Sequence, residues 1–140
     1  MKKLLVAILL AVPFVLPAQE EINPNGYNVF YHENGVKSSE GTMRNGKPDG
    51  YWKTYNEQSI LISEGNRKDF LLDSTWKFYD DEGKLKLEIN YLKGKKDGIR
   101  KTYRKDEIIA ENFKNDIKDG YTRFYYPDGT LKKEVNFVSG

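Results

Sequence analysis

The residues of this chain with the chemistry to act on a ligand are a lone histidine, His32, a recurring set of carboxylates, and a column of aromatic rings. His32 has no second histidine and no cysteine to join it. A nucleophile with its base, or a metal site of thiolates and imidazoles, cannot be assembled around it. It reads as a solvated turn residue. The acidic cluster Asp80, Asp81 and Glu82 lacks the spacing of oxygen ligands that calcium loops use, and reads as a hairpin tip.

Glu40, Glu64, Glu88 and Glu134 each occur once per repeating unit, so neighbours should stand about 10 Å apart, two strand spacings. That makes a ladder and not a catalytic acid–base pair. Trp52 and Trp76, with Phe30, Phe78 and Phe124, fall on one side of their strands and can stack on a sugar or anchor a protein. These five are the candidate binding residues. No catalytic residue, metal site or cofactor is expected, and the chain is not expected to be an enzyme.

The elements that position these residues are repeats. Units begin at Gly26, Gly50, Ser74, Gly98 and Gly120, at spacings of 24, 24, 24 and 22 residues. A fixed period in this range marks an array whose units bury surface only against their neighbours. Five residues into each unit stands a tyrosine: Tyr31, Tyr55, Tyr79, Tyr103 and Tyr125. Gly35, Gly83 and Gly129 follow nine residues in, with Ser59 as the substitute in the second unit.

Tyr126-Pro127-Asp128-Gly129-Thr130 carries the turn chemistry of a three-residue hairpin loop. Segments rich in Tyr, Phe, Trp, Val, Ile and Thr flank these turns, so each unit is two strands. The expected fold is all-β: an elongated single-layer antiparallel meander of five consecutive hairpins. Parity around the loop pairs Tyr79 with Leu85 and Thr75 with Ile89, and in the fifth unit Tyr125 with Leu131 and Tyr121 with Val135.

This parity places Tyr27, Tyr51, Ile99, Tyr121, the five constant tyrosines, Leu61, Leu85, Leu131, Ile89 and Val135 on one face. The other then carries the Trp and Phe column, the recurring glutamates, Asn66, Asn90 and Asn136. The first is expected to be the packed face. In the fourth unit two residues are missing at the hairpin tip, which on this scheme deletes one rung and leaves the facing of the others unchanged.

The chain has 140 residues and no cysteine, which leaves room for one domain held by packing and hydrogen bonds alone. Residues 1–18, with two lysines, an apolar run from Leu4 to Leu16, and then Pro17 and Ala18, read as a secretory signal peptide cleaved after Ala18. The run is too short for a membrane span, and Pro13 interrupts it. Residues 19–25 form a linker and residues 26–140 the repeat domain.

The whole chain carries 23 Lys and Arg against 21 Asp and Glu, but Lys2 and Lys3 leave with the leader, so the mature part has 21 of each. That balance removes the case for nucleic-acid binding and makes the basic run Lys93 to Lys105 a solvated face. The mature protein is expected in a periplasm or outside the cell, with no membrane span. Nothing caps the last strand, so edge pairing between copies is open to it.

The pattern of Trp52, Tyr55 and Glu64, of Trp76, Tyr79, Gly83, Glu88, Gly94, Lys95, Asp97 and Gly98, and of Tyr125, Gly129 and Glu134 resembles the MORN-repeat variant family. That family includes YwqK-type proteins named as antitoxin components. The resemblance implies a sheet of consecutive hairpins that serves as a scaffold or a protein-binding surface, in an immunity or antitoxin-like role. A cell-envelope carbohydrate-binding module that uses the Trp and Phe column is the alternative. The second unit departs from the pattern, with Phe70-Leu71-Leu72 where the family has Gly-Lys.

Overall fold

The computed structural model describes residues 21–137. The leader, its cleavage point and the last three residues lie outside them. Ten strands follow in chain order: β1 (Tyr27–Tyr31), β2 (Lys37–Arg44), β3 (Lys47–Tyr55), β4 (Leu61–Lys68), β5 (Leu71–Tyr79), β6 (Leu85–Leu92), β7 (Lys95–Tyr103), β8 (Ile108–Lys114), β9 (Ile117–Tyr125) and β10 (Leu131–Phe137). They form one antiparallel sheet in which every strand pairs with its sequence neighbours. The all-β meander of hairpins expected from the repeat is what the chain adopts.

Two kinds of turn alternate along the chain. Within units, Gly35, Gly83 and Gly129 take φ of 80°, 77° and 87°, and Ser59 takes 65° at the equivalent place. Asp80 supports its loop by accepting the amides of Glu82 and Lys84 at 3.0 and 2.9 Å. This commitment of Asp80 to the backbone explains the acidic tip without a metal. Between units, Asn45-Gly46, Asp69-Phe70, Lys93-Gly94 and Asn115-Asp116 all have two positive φ values, the requirement of a two-residue hairpin turn whose twist matches its strands.

Phe70 is the misfit, a bulky residue at φ 77° where glycine is at ease. Its ring is exposed and lies 5.8 Å from the Arg67 guanidinium. Phe70→Gly is expected to stabilise the protein by about 1 kcal/mol, strain relief less a weak cation–π contact. Urea denaturation checks this, and a lower midpoint for the variant would mean that the ring contributes more than the backbone loses.

Successive turns are tied together across the sheet. The amides of Gly46, Phe70, Gly94 and Asp116 donate at 2.9 Å to the carbonyls of Pro24, Pro48, Leu72 and Lys96, the last three of which open the strands that leave the preceding inter-unit turns. At the opposite edge His32 Nε2 meets the Tyr55 carbonyl at 2.9 Å. Residues 23–25 are bonded onto the first unit as well. Asn25 Oδ1 accepts the Asn45 amide, and the Asn23 amide donates to Asn28 Oδ1, both at 2.8 Å.

The register corrects the parity reading. Tyr79 pairs with Leu85 and Tyr125 with Leu131, as expected, but one residue later each long hairpin except the fourth takes a β-bulge. Beyond it the register slips by one, so Thr75 pairs with Asn90, Trp76 with Ile89, and Tyr121 with Asn136. A one-residue slip moves every later side chain to the other face. Ile89 and Val135 therefore join the tryptophans, while the glutamates and asparagines join the tyrosines.

The fourth unit keeps its facing by a different route from the one expected. There Tyr103 pairs with Ile108 and the ladder then runs without a bulge. Its turn is closed by the Arg104 amide on the Glu107 carbonyl at 2.9 Å. The two missing residues are one from the loop and one from the bulge, so the residues beyond them keep their facing.

The packed face is the tryptophan face and not the tyrosine face. Trp52, Trp76, Ile89 and Ile109 are its buried apolar residues, with Asn28 and Thr122 beside them. Tyr27, Tyr51, Ile99 and Tyr121, on the opposite face, are exposed. The reason lies in the row that crosses the sheet at the tryptophans, where Gly41 and Gly65 stand next to the indoles. Glycine leaves a trough into which a large ring can lie flat on the backbone.

Candidate functional site

Trp52 and Trp76 are only 7% and 3% exposed. A Cβ added to Gly41 would fall 2.3 Å from the Trp52 ring, and one added to Gly65 would fall 2.5 Å from the Trp76 ring. Each indole N–H donates to a carbonyl inside an inter-unit bulge, Trp52 to Thr42 at 3.0 Å and Trp76 to Asn66 at 2.7 Å. Phe30 stacks on Trp52 at 6.1 Å, and Phe78 packs against Trp76 at 6.2 Å. Arg67 covers Trp76 from 5.2 Å. Phe124 is half-buried with Lys133 over its ring at 4.3 Å.

The structure thus brings four of the five column residues together as two pairs with Phe124 apart from them, and it leaves neither indole a free ring face. Arg100 and Thr122 take the tryptophan position in the fourth and fifth units. Arg100 faces Glu111 at 3.8 Å, and Glu111 also meets Lys118 at 2.8 Å. The basic run is split, with Arg100 on the tryptophan face and Lys101 on the tyrosine face.

The tyrosine face holds the recurring polar chemistry. Tyr55 donates its hydroxyl to Glu40, Tyr79 to Glu64 and Tyr103 to Glu88, at 2.6, 2.6 and 2.7 Å. Two of the repeat's constants, tyrosine and glutamate, are therefore one bond used three times between successive units. Short bonds to an ionised acceptor are the strong ones. Lys37 adds an ion pair to Glu40 at 2.8 Å, and Tyr27 shares the same carboxylate.

The electrostatics follow from these contacts. Bonds from Lys37, then Tyr55 and Tyr27, hold the Glu40 carboxyl down at about 2. Burial, and then the bond to the carboxylate, push the Tyr55 and Tyr103 hydroxyls up to about 12, and Tyr79 upward for the same reasons. A carboxylate kept charged beside phenols kept neutral is a structural clamp. Glu40 is held too weakly basic to collect a proton near neutral pH.

Glu134 lies in the last strand and pairs with Arg123 at 2.6 Å. Gly35, Gly83 and Gly129 shape the hairpins, as the loop geometry requires, while Tyr31 stands exposed at the end of β1 opposite Lys37. Sequence reasoning missed Gly41 and Gly65, although the repeated Glu-Gly step at 40–41 and 64–65 signals them. Among the described residues no group of His, Asp and Glu is disposed to hold a metal ion.

No curated protein matches the chain. A family model, the MORN repeat variant, matches residues 72–93 and 118–139. Those stretches span β5 with β6 and β9 with β10, one hairpin each, and the same hairpin recurs along the sheet. Two of its five hairpins are thus similar to the MORN repeat variant.

Proposed function

We propose that the chain is exported and works as a non-enzymatic scaffold that offers the tyrosine face of its sheet to a protein partner. One observation supports this above the others. Tyr27, Tyr31, Tyr51 and Tyr121 stand exposed on a face that no second layer covers among the described residues. Tyrosine supplies large contact area at low entropic cost and is enriched where proteins meet. The clamp between units keeps this face rigid, which lowers the cost of binding.

The export half of the proposal rests on the leader at residues 1–18. An immunity protein that meets a toxin outside the cytoplasm is the role that best joins export to the family's antitoxin-like members. A glycan reading takes Trp52 and Trp76 as stacking platforms. Stacking needs a free ring face, so the protein reading is preferred.

Affinity capture from the native envelope fraction tests the proposal, with the wild-type chain compared against a Tyr31→Ser, Tyr121→Ser double variant. Both positions are exposed, so the variant should melt at the wild-type temperature while recovering at least about tenfold less partner. Equal recovery by both proteins, or no partner with either, would sink the idea. Mass spectrometry of the secreted form should find Gln19 at its amino terminus.

A further inference from the structure

The register lines up one residue from every strand in a single row across the tyrosine face. Read from β1 to β10 it is Val29, Glu40, Lys53, Glu64, Lys77, Glu88, Lys101, Ala110, Arg123 and Glu134. From β2 onward acid and base alternate without a break until β8. There alanine stands where an acid belongs. Residues directly opposite have Cβ atoms about 5 Å apart, so Lys101 and Arg123 flank the gap at close range.

The same rung has lost its second half. In the three complete rungs the hydroxyl of the tyrosine fifteen residues on donates to the glutamate. Tyr125 occupies that place for Ala110 and has no carboxylate there to meet. The result is a depression of about 390 Å³ lined by Ile99, Lys101, Tyr103, Ala110, Arg123 and Tyr125. Lys101 is exposed, and Arg123 also pairs with Glu134.

We infer that this vacant rung is a binding site for an organic carboxylate. The charge takes the place of the missing glutamate between Lys101 and Arg123 and accepts the Tyr125 hydroxyl. The ligand's apolar body lies against Ile99 and Tyr103. The complete rungs are the template, since each shows the same phenol holding a carboxylate at 2.6 to 2.7 Å. Shape and charge agree, because a lining that joins apolar side chains to a hydroxyl and two cations selects an acid over its uncharged analogue. The site goes beyond the scaffold reading and does not depend on it. The carboxylate can come from a free acid or from a glutamate side chain on a polypeptide.

Amide NMR of the full chain tests this with two probes, 3-phenylpropionate and the acetylated, amidated peptide Gly-Glu-Gly. Phenylpropanol and the Gln peptide serve as uncharged controls. At about 10 mM, saturating for a millimolar site, an acid probe should shift the amides around Ala110 and Tyr125, and its control should bind at least about tenfold more weakly. A response to the peptide alone assigns the site to a partner's acidic side chain, and a response to phenylpropionate alone to a free acid.

Ala110→Glu supplies the missing carboxylate from within. It should melt higher than the wild type and bind neither probe. If it fails to fold, Lys101→Met, at an exposed position, should weaken binding about tenfold. Equal shifts from acids and controls, no shift at all, or unchanged binding by the variant that folds would overturn the proposal.

Discussion

Gly65→Ala is expected to destabilise the protein by about 2–4 kcal/mol, a large effect for one methyl group. The new Cβ would stand 2.5 Å from two ring carbons of Trp76, a separation that real side chains do not reach. The ring cannot yield easily, because its N–H is held at 2.7 Å by the Asn66 carbonyl and Phe78 and Arg67 pack against it. Removing the ring by Trp76→Ala should cost about 3–5 kcal/mol, the usual range for emptying a buried aromatic site.

The double variant decides whether this account is right. Once the indole is gone the added methyl has nothing to strike, so the pair should cost clearly less than the sum of the singles. Chemical denaturation of the four proteins gives the cycle. Additive costs would mean that Gly65 matters for its backbone freedom and not for the room it leaves to Trp76.

The second large effect is expected at Glu40, whose carboxylate takes bonds from Tyr55 at 2.6 Å and Lys37 at 2.8 Å. Glu40→Gln should cost about 1.5–3 kcal/mol at neutral pH, the range for hydrogen bonds to a charged group. The pH dependence gives a stricter check. A carboxyl at about 2 in the folded chain against 4.5 when unfolded contributes stability that is fully present above pH 4.5 and is lost as pH falls through 2.

The Tyr55 hydroxyl behaves in the opposite sense. Raised from 10.0 to about 12, it contributes stability that is complete below pH 10 and lost as pH rises through 12. The gap in melting temperature between wild type and Glu40→Gln should therefore be widest between those limits and close toward pH 2. A gap that stayed constant into acid would show that Gln disturbs packing and that the ionised clamp contributes little.

Much of the architecture was legible in the residues. The 24-residue period, the tyrosine five residues into each unit and the glycine nine residues in gave five hairpins, their loop length and the pairing of Tyr79 with Leu85. These are local signals, since a glycine at positive φ or a Pro-Asp-Gly turn acts on its own few residues. The glutamate column was legible too, although a count of one per unit overlooks that it skips the fourth. What that lapse means was not, because the lysine and arginine that flank Ala110 belong to other strands and are aligned with it only by the register.

By itself, then, the sequence determined an all-β repeat array, where its strands turn and which residues recur. Only the tertiary structure decided which face is core. Parity counts outward from a loop and holds only while strands pair one to one. A bulge breaks that count, and whether one forms depends on how two strands and their neighbours fit and not on the composition of either. Here the slip places Gly65 under Trp76 and Glu64 against Tyr79, and the register of the unbulged fourth hairpin puts an alanine where the alternation of charge that begins at β2 calls for an acid.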